Sequence, residues 1–248
     1  MCISLLSAAT LERFQDTGTG INARFENLRT APFERAEVSI DEGEDEFPDT
    51  PMISRTFAFP YESAELLVNQ MTWRVFSKQG DYLQSRQEIV NSALQLSQPF
   101  IFREMRGFTL KIQTQLETET EILTLDNLDF ELQGSGTTTF PQSLSPAFID
   151  AYRTLADNWD SSYLRNLPVS RPKMLIISHP NLANYQTEFI KWKRSLGFDV
   201  FVINRADAGS SLQEIRNTIR THYLEHRTDY LLLLGDTVGN YSIPTNFF

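Results

Sequence analysis

Met174-Leu-Ile-Ile-Ser178, Phe198-Asp-Val-Phe-Val-Ile203 and Tyr230-Leu-Leu-Leu-Leu-Gly-Asp236 are three short apolar runs in the last third of a 248-residue chain. Helix-length segments separate them, one from Leu182 to Leu196 and one from Ser211 to His226. Apolar runs alternating with amphipathic segments are the pattern of βαβ units on a parallel sheet. In the first segment Leu182, Tyr185, Phe189, Trp192 and Leu196 recur at helical spacing, which predicts one buried face. Gly197 then sits where a left-handed C-cap is expected. Ser211-Leu-Gln-Glu214 has the spacing of a capping box, and Leu212, Ile215, Ile219 and either His222 or Tyr223 are the expected buried side of the second helix. No Gly-x-Gly-x-x-Gly follows any of the runs, and no phosphate loop or His-Glu-x-x-His is present, so a nucleotide site is unsupported.

Upstream of this stretch, residues 141–172 read as a linker. Phe148, Tyr152 and Leu155 predict a short helix within Pro146–Asn158. Leu167-Pro168 and Arg171-Pro172 interrupt regular structure, which places a domain boundary near 166–173. Arg165 and Arg171 are the candidate maturation cleavage points, because proteolysis concentrates in exposed linkers.

Residues 1–140 form a β-rich region. Phe14, Phe25, Phe33 and Val38 are spaced like pieces of strands, with Thr17-Gly-Thr-Gly20 as a turn. Met52 to Phe59 is a strand bracketed by prolines, and Leu66-Leu-Val68 and Trp73-Arg-Val-Phe76 continue the pattern. Phe108, Leu110 and Ile112 alternate on one face after a turn at Arg106-Gly107. Glu121–Leu125 and Leu128–Leu132 are expected to pair as a hairpin around Asp126-Asn127, closed off by Gly134-Ser-Gly136. Short strands at this spacing predict an antiparallel, sandwich-like domain. The fold class is therefore all-β plus α/β: a sandwich-like N-terminal domain, then a parallel βαβαβ unit.

The net charge is −10, and it is unevenly placed. Residues 171–248 hold nine Lys and Arg against seven Asp and Glu, leaving 13 against 25 in residues 1–170. An acidic first domain argues against binding a phosphate backbone, so nucleic acid is not an expected partner. Asp41-Glu-Gly-Glu-Asp-Glu46 is read as a solvated charge run, since it lacks the ligand spacing of a calcium loop. No apolar run approaches the roughly 20 residues of a membrane helix. Ile3–Ala9 lacks a preceding basic residue and makes a poor signal peptide; a strand whose beginning is missing and a lipoprotein-like end at Cys2 are the alternative readings.

Few residues offer chemistry. Cys2 is the sole cysteine, which excludes an internal disulfide and a thiolate metal cluster. His179 and Asp236 each follow an apolar run, at the strand ends where α/β sites form, and are the site-shaping candidates. Asp236 alone is indistinguishable from a structural Asp-turn. His222 and His226 share a helix face at i, i+4, but with no third ligand in view they are read as surface histidines. No complete catalytic set, cofactor site or metal site emerges.

The second region nevertheless resembles a known family. Phe189-Ile-Lys-Trp-Lys-Arg-Ser-Leu-Gly-Phe-Asp-Val200 and Leu233-Leu-Gly-Asp236 followed by Ile243-Pro244, in this order and spacing, resemble the start of the gingipain-type (C25) cysteine peptidase domain. Pro48 and Pro51 before a strand, and Arg106-Gly-Phe-Thr-Leu-Lys-Ile112, look like that family's prodomain. The resemblance implies a secreted or cell-surface bacterial precursor, with a β-rich prodomain packing on a caspase-like peptidase and a protein or peptide as substrate. It also implies that the catalytic His and Cys lie beyond Phe248, so that these residues alone are expected to be inactive and truncated. Neither His179 nor Cys2 matches a catalytic position of the family. Calcium is an expectation for the full-length protein only. Two alternatives stand beside the endopeptidase: a surface transpeptidase of the type IX secretion system, and a non-catalytic binding module with the same fold.

Overall fold

The structure is a computed structural model that describes residues 10–16, 20–26, 28 and 51–244, the first of these by backbone alone. The charge run 41–46, Cys2, Phe33 and Val38 lie outside the described residues. The chain divides into two compact units. One is Met1–Gln142 with Asp150–Leu167, and the other is Ser143–Ile149 with Pro168–Phe248.

The first unit is antiparallel throughout. Its strands are β1 (Thr10–Asp16), β2 (Gly20–Glu26), β3 (Met52–Ala58), β4 (Tyr61–Ser77), β5 (Tyr82–Gln87), β6 (Leu94–Leu96), β7 (Phe100–Phe102), β8 (Met105–Gln113), β9 (Gln115–Glu117) and β10 (Glu121–Thr138). One sheet runs β1-β2-β10-β4-β5 with β9 also on β10, and the other runs β3-β8-β6 with β7 also on β8. Alternation decides which side chains go inward. Phe108, Leu110 and Ile112 are buried together, as their spacing predicts. They join Phe57 from one sheet and Phe25, Trp73 and Phe130 from the other in a single core. The Phe57 ring lies 5.9 Å from that of Phe130 and 6.4 Å from that of Phe25.

Three local expectations are overturned in this unit. Glu121–Leu132 is no hairpin: β10 continues through Asp126-Asn127, and the chain there makes a bulge, with a register shift against β4 between Leu125 and Asn127. One long partner strand pairs both halves, which a local turn signal cannot reveal. Arg106-Gly107 lies inside β8, and the turn falls earlier, at Arg103, whose φ is 54°. Gly107 serves close approach instead, since a Cβ there would stand 2.5 Å from the Phe57 carbonyl oxygen. Gly134 likewise stays within β10, beneath the Tyr61 ring.

Residues 141–172 are shared between the units. Helix α1 (Ile149–Leu155) forms within the expected span. After it, Asn158 is buried and bonds the Ala58 backbone in both directions, its Oδ1 accepting at 2.8 Å and its Nδ2 donating at 2.9 Å. The Tyr163 hydroxyl accepts from the Arg106 N–H at 2.9 Å, and burial pushes its pKa up to about 12. In the second unit, the Leu144 N–H donates to the Pro168 carbonyl and the Leu144 carbonyl accepts from the Ser170 N–H, each at 2.8 Å, on either side of Val169.

The second unit carries β11 (Lys173–Ser178), α2 (Ala183–Ser195), β12 (Asp199–Asn204), α3 (Arg205–Ala208), α4 (Leu212–His226) and β13 (Tyr230–Leu234). The strands form a parallel sheet in the order β12-β11-β13. β11 is central and buried on both faces. Met174 and Ile176 pack with Phe189 and Ile190 of α2, whereas Leu175 and Ile177 pack with Ile215 and Ile219 of α4. The two helices therefore cover opposite faces.

Both predicted caps form. Gly197 has φ 88° and donates to the Arg194 carbonyl. Ser211 and Glu214 make the reciprocal capping box. Hydrogen bonds from Ser210 and Ser211 hold the Glu214 carboxyl down to about 2.

The α2 face differs from expectation. Tyr185 is 81% exposed and Trp192 53% exposed, while Gln186 is buried beside Phe189 and Ile190. The short sheet gives α2 a contact narrower than its apolar stripe. Lys193 lies over the rings of Trp192 and Phe198, at 4.6 and 4.8 Å. His222 is also buried, which corrects its reading as a surface residue.

Candidate functional site

The strand order places the site. From β11 the chain crosses through α2 to β12 on one side, then returns through α4 to β13 on the other side. In open α/β sheets, ligands bind outside the carboxyl ends of the strands where the order reverses. Here that point lies between the ends of β11 and β13. Ser178 is paired with Leu234 in the register, and the His179 N–H donates to the Leu234 carbonyl at 3.1 Å. His179 and Asp236, separated by 57 positions in sequence, thus follow the ends of neighbouring strands.

His179 caps the short turn Pro180–Leu182. Its Nδ1 accepts from the Asn181 N–H at 3.3 Å, which leaves Nε2 to carry the proton of the neutral ring. The ring stands edge-on to Tyr241, with centroids 5.3 Å apart. Asp236 is exposed, and its Oδ1 accepts from the Thr237 N–H at 2.7 Å. Its backbone closes a loop, with the N–H donating to the Tyr241 carbonyl at 2.9 Å and the carbonyl accepting from Ile243 at 2.7 Å. Gly235 makes this return possible. A Cβ there would lie 2.6 Å from the Tyr241 oxygen and 2.7 Å from the Ile243 side chain. Ile243 itself is buried in the core with Leu175 and Ile177. From the end of β12, Arg205 Nε donates to the Ser242 carbonyl at 3.3 Å.

These contacts account for the Gly-Asp…Ile-Pro spacing. The glycine admits the returning chain, the aspartate organises its first residues, and the isoleucine anchors its last. Tyr241 and Arg205 shape the rim and were missed in the sequence. The Ile243-Pro244 pair after Gly235-Asp236 signals the returning loop that carries Tyr241.

The rim offers an imidazole, a carboxylate and a phenol at the mouth of the sheet. Among the described residues it holds no assembled nucleophile. Ser178 is buried and donates its hydroxyl to the His179 carbonyl at 3.2 Å. No hydrogen bond joins His179 to Asp236, and no cluster of three His, Cys, Asp or Glu fit for a metal occurs among the described residues. The candidate cleavage points differ in setting. Arg165 donates to the Asp160 carbonyl at 2.6 Å, whereas Arg171 reaches only the Asp199 carboxylate at 3.7 Å and leaves 76% of its side chain exposed.

Among the described residues no helix is long and apolar enough to cross a membrane. No curated protein matches the chain. Among solved structures it is similar to a complex of Porphyromonas gingivalis RgpB pro- and mature domains. The identity is 14%, over 62% of this chain and 97% of that chain, with a TM-score of 0.43, a likeness too slight to carry an argument. Residues 168–247 match the model described as peptidase family C25, and this span contains the three strands, the reversal of their order and the Gly235–Pro244 loop. By this α/β segment the chain is similar to peptidase family C25.

Proposed function

We propose that the chain is the N-terminal part of a secreted, gingipain-like cysteine endopeptidase precursor. Residues 1–140 act as the prodomain, a sandwich-like fold that packs on the peptidase. Residues 141–172 link the two, and 173–248 open a caspase-like α/β domain. The observation that carries this reading is the polar rim at the strand reversal, inside the span that matches the family. The reaction would be peptide-bond hydrolysis. A thiolate attacks the carbonyl carbon, a histidine carries the proton to the leaving amine, and backbone donors hold the oxyanion.

The residues of this chain supply the frame for that chemistry. Cys2 is the single thiol of the 248 residues, and among the described residues no nucleophile is bonded to His179; the reacting pair, as the family resemblance implies, is taken from elsewhere in the precursor. His179 and Asp236 shape the rim that the substrate would meet. Of the two arginines, Arg171 is the more exposed, but Pro172 follows it and hinders cleavage of that bond, so maturation is assigned to Arg165. The product acts at the bacterial surface or outside the cell, on protein or peptide substrates.

A thiol-directed peptide ketone tests the reading. On the complete gene product it is expected to label one cysteine other than Cys2 and to stop peptide hydrolysis, while residues 1–248 alone hydrolyse nothing. Turnover by residues 1–248, or a complete gene product without a reactive thiol, would refute it. Mass spectrometry of the mature protein that found residues 150–180 intact would refute the assigned cleavage.

A further inference from the structure

The opposite end of α4 holds a buried histidine that the site does not use. His222 is 8% exposed. Its Nδ1 lies 2.8 Å from the Thr228 hydroxyl, and its Nε2 is buried without a hydrogen-bond partner. The ring sits edge-on to Phe201 of β12 at 4.8 Å and lies 4.4 Å from His226, which itself stacks on Phe201 at 4.6 Å. Two imidazoles thus share one aromatic surface in the last turn of the helix.

Neutral, the His222 ring has one N–H and one lone pair, and the Thr228 bond satisfies one of them. Charged, it has two N–H donors with a single partner between them, inside the packed face. Burial lowers its pKa, and the neighbouring His226 lowers it further; Glu225 pulls the other way. Glu225 is outward, with its carboxylate 3.8 Å from His226 Nε2. From β11 the facing cation is Lys173, whose Nζ donates to the His226 carbonyl at 2.8 Å. From the turn after α4 the charged groups are Arg227 and Asp229. The Asp229 carboxylate is held by the Lys173 N–H at 2.7 Å and by the Ser145 hydroxyl. On β12 the groove is apolar at Phe201, and Asp199 turns to Arg171. No carboxylate therefore faces His222 Nε2 among the described residues.

We propose that His222 and His226 form an acid-sensitive latch on the C-terminal turn of α4. Above the ordinary imidazole value of about 6.5, the His222 ring is neutral and sits edge-on to Phe201, beside the stacked ring of His226. As pH falls, the unfolded or open state takes up a proton that the packed ring resists, so the packed turn loses stability. The sign follows from the lowered native pKa: the contribution is complete above the ordinary value and disappears as pH falls toward the native one. Release of His222 frees the 226–229 turn, and with it the bonds from His226 and Asp229 to the start of β11. The latch would make the α/β unit open from the end away from the rim.

Hydrogen exchange of the 1–248 chain between pH 7.5 and pH 5 tests the latch. After correction for intrinsic rates, protection of the amides of residues 222–228 is expected to fall about tenfold or more relative to those of α2, as one shifted proton equilibrium allows. In His222→Gln the fall should vanish. In His226→Gln the His222 ring, followed by NMR, should titrate at a higher pH than in the parent. Equal protection at the two pH values, or an unchanged fall in His222→Gln, would overturn the proposal. The ring titration is read on the folded parent, so a variant that fails to fold leaves a decisive measurement. A His222 ring that titrates at or above the ordinary value refutes it.

Discussion

β10 and β11 are both central strands, yet they are buried in different ways. β10 spans 18 residues, pairs with β2, β4 and β9, and turns Leu128, Phe130 and Leu132 into the core while its intervening residues stay partly open. β11 has only six residues and buries both faces from Met174 to Ile177. The contrast follows from how the neighbours arrive. Antiparallel partners run in opposite directions, whereas parallel partners run in one direction and need a crossover each time. In the second unit every strand therefore ends on the same side, and the connecting loops gather there. His179, Asp236, Tyr241 and Arg205 meet at that rim for this reason. In the first unit the alternating strand directions put the carboxyl ends of neighbouring strands on opposite sides instead. Antiparallel packing gives the first unit its core between two sheets, and parallel packing gathers the loops of the second at the candidate site.

Three substitutions probe this difference, in falling order of effect. Phe130→Ala empties a fully buried site between the Phe25 and Phe57 rings, and should cost about 3–5 kcal/mol in urea unfolding. A loss under about 1 kcal/mol would mean that the β10 face is not a packed core. Gly235→Ala places a methyl against the Tyr241 carbonyl and Ile243, and should cost about 1–3 kcal/mol. Its local signature is faster proteolysis within 236–243, and an unchanged cleavage rate would show that the loop does not depend on close approach. Gln186→Leu removes a buried amide oxygen that has no hydrogen-bond partner, and should stabilise the second unit by about 1 kcal/mol. A lower midpoint in thermal unfolding would show that the amide is satisfied in solution.

Much of the second unit was legible because its signals are local. The apolar runs, Gly197 and the Ser211 box specify strands and caps within a few residues, and the structure has them where expected. The rim was legible in part. His179 and Asp236 announce themselves by following apolar runs, but Tyr241 and Arg205 reach the rim only through the loop that returns over Gly235. Errors arose where a partner distant in sequence decides the outcome. Asp126-Asn127 looks like a turn until β4 pairs across it, and Gly107 looks like a turn until the Phe57 carbonyl comes near. Trp192 looks buried until the width of the sheet is known.

By itself, then, the sequence determined the periodicities, the caps, the two kinds of domain and the family pattern of the α/β segment, all of which are written in neighbouring residues. Only the tertiary structure decided the strand order β12-β11-β13, which brings His179 and Asp236 to adjacent strand ends, and the burial of His222 against Phe201. Strand order is set by which crossover covers which face of β11, and that depends on how Met174–Ile177 pack against Phe189 and Ile190 of α2 and against Ile215 and Ile219 of α4.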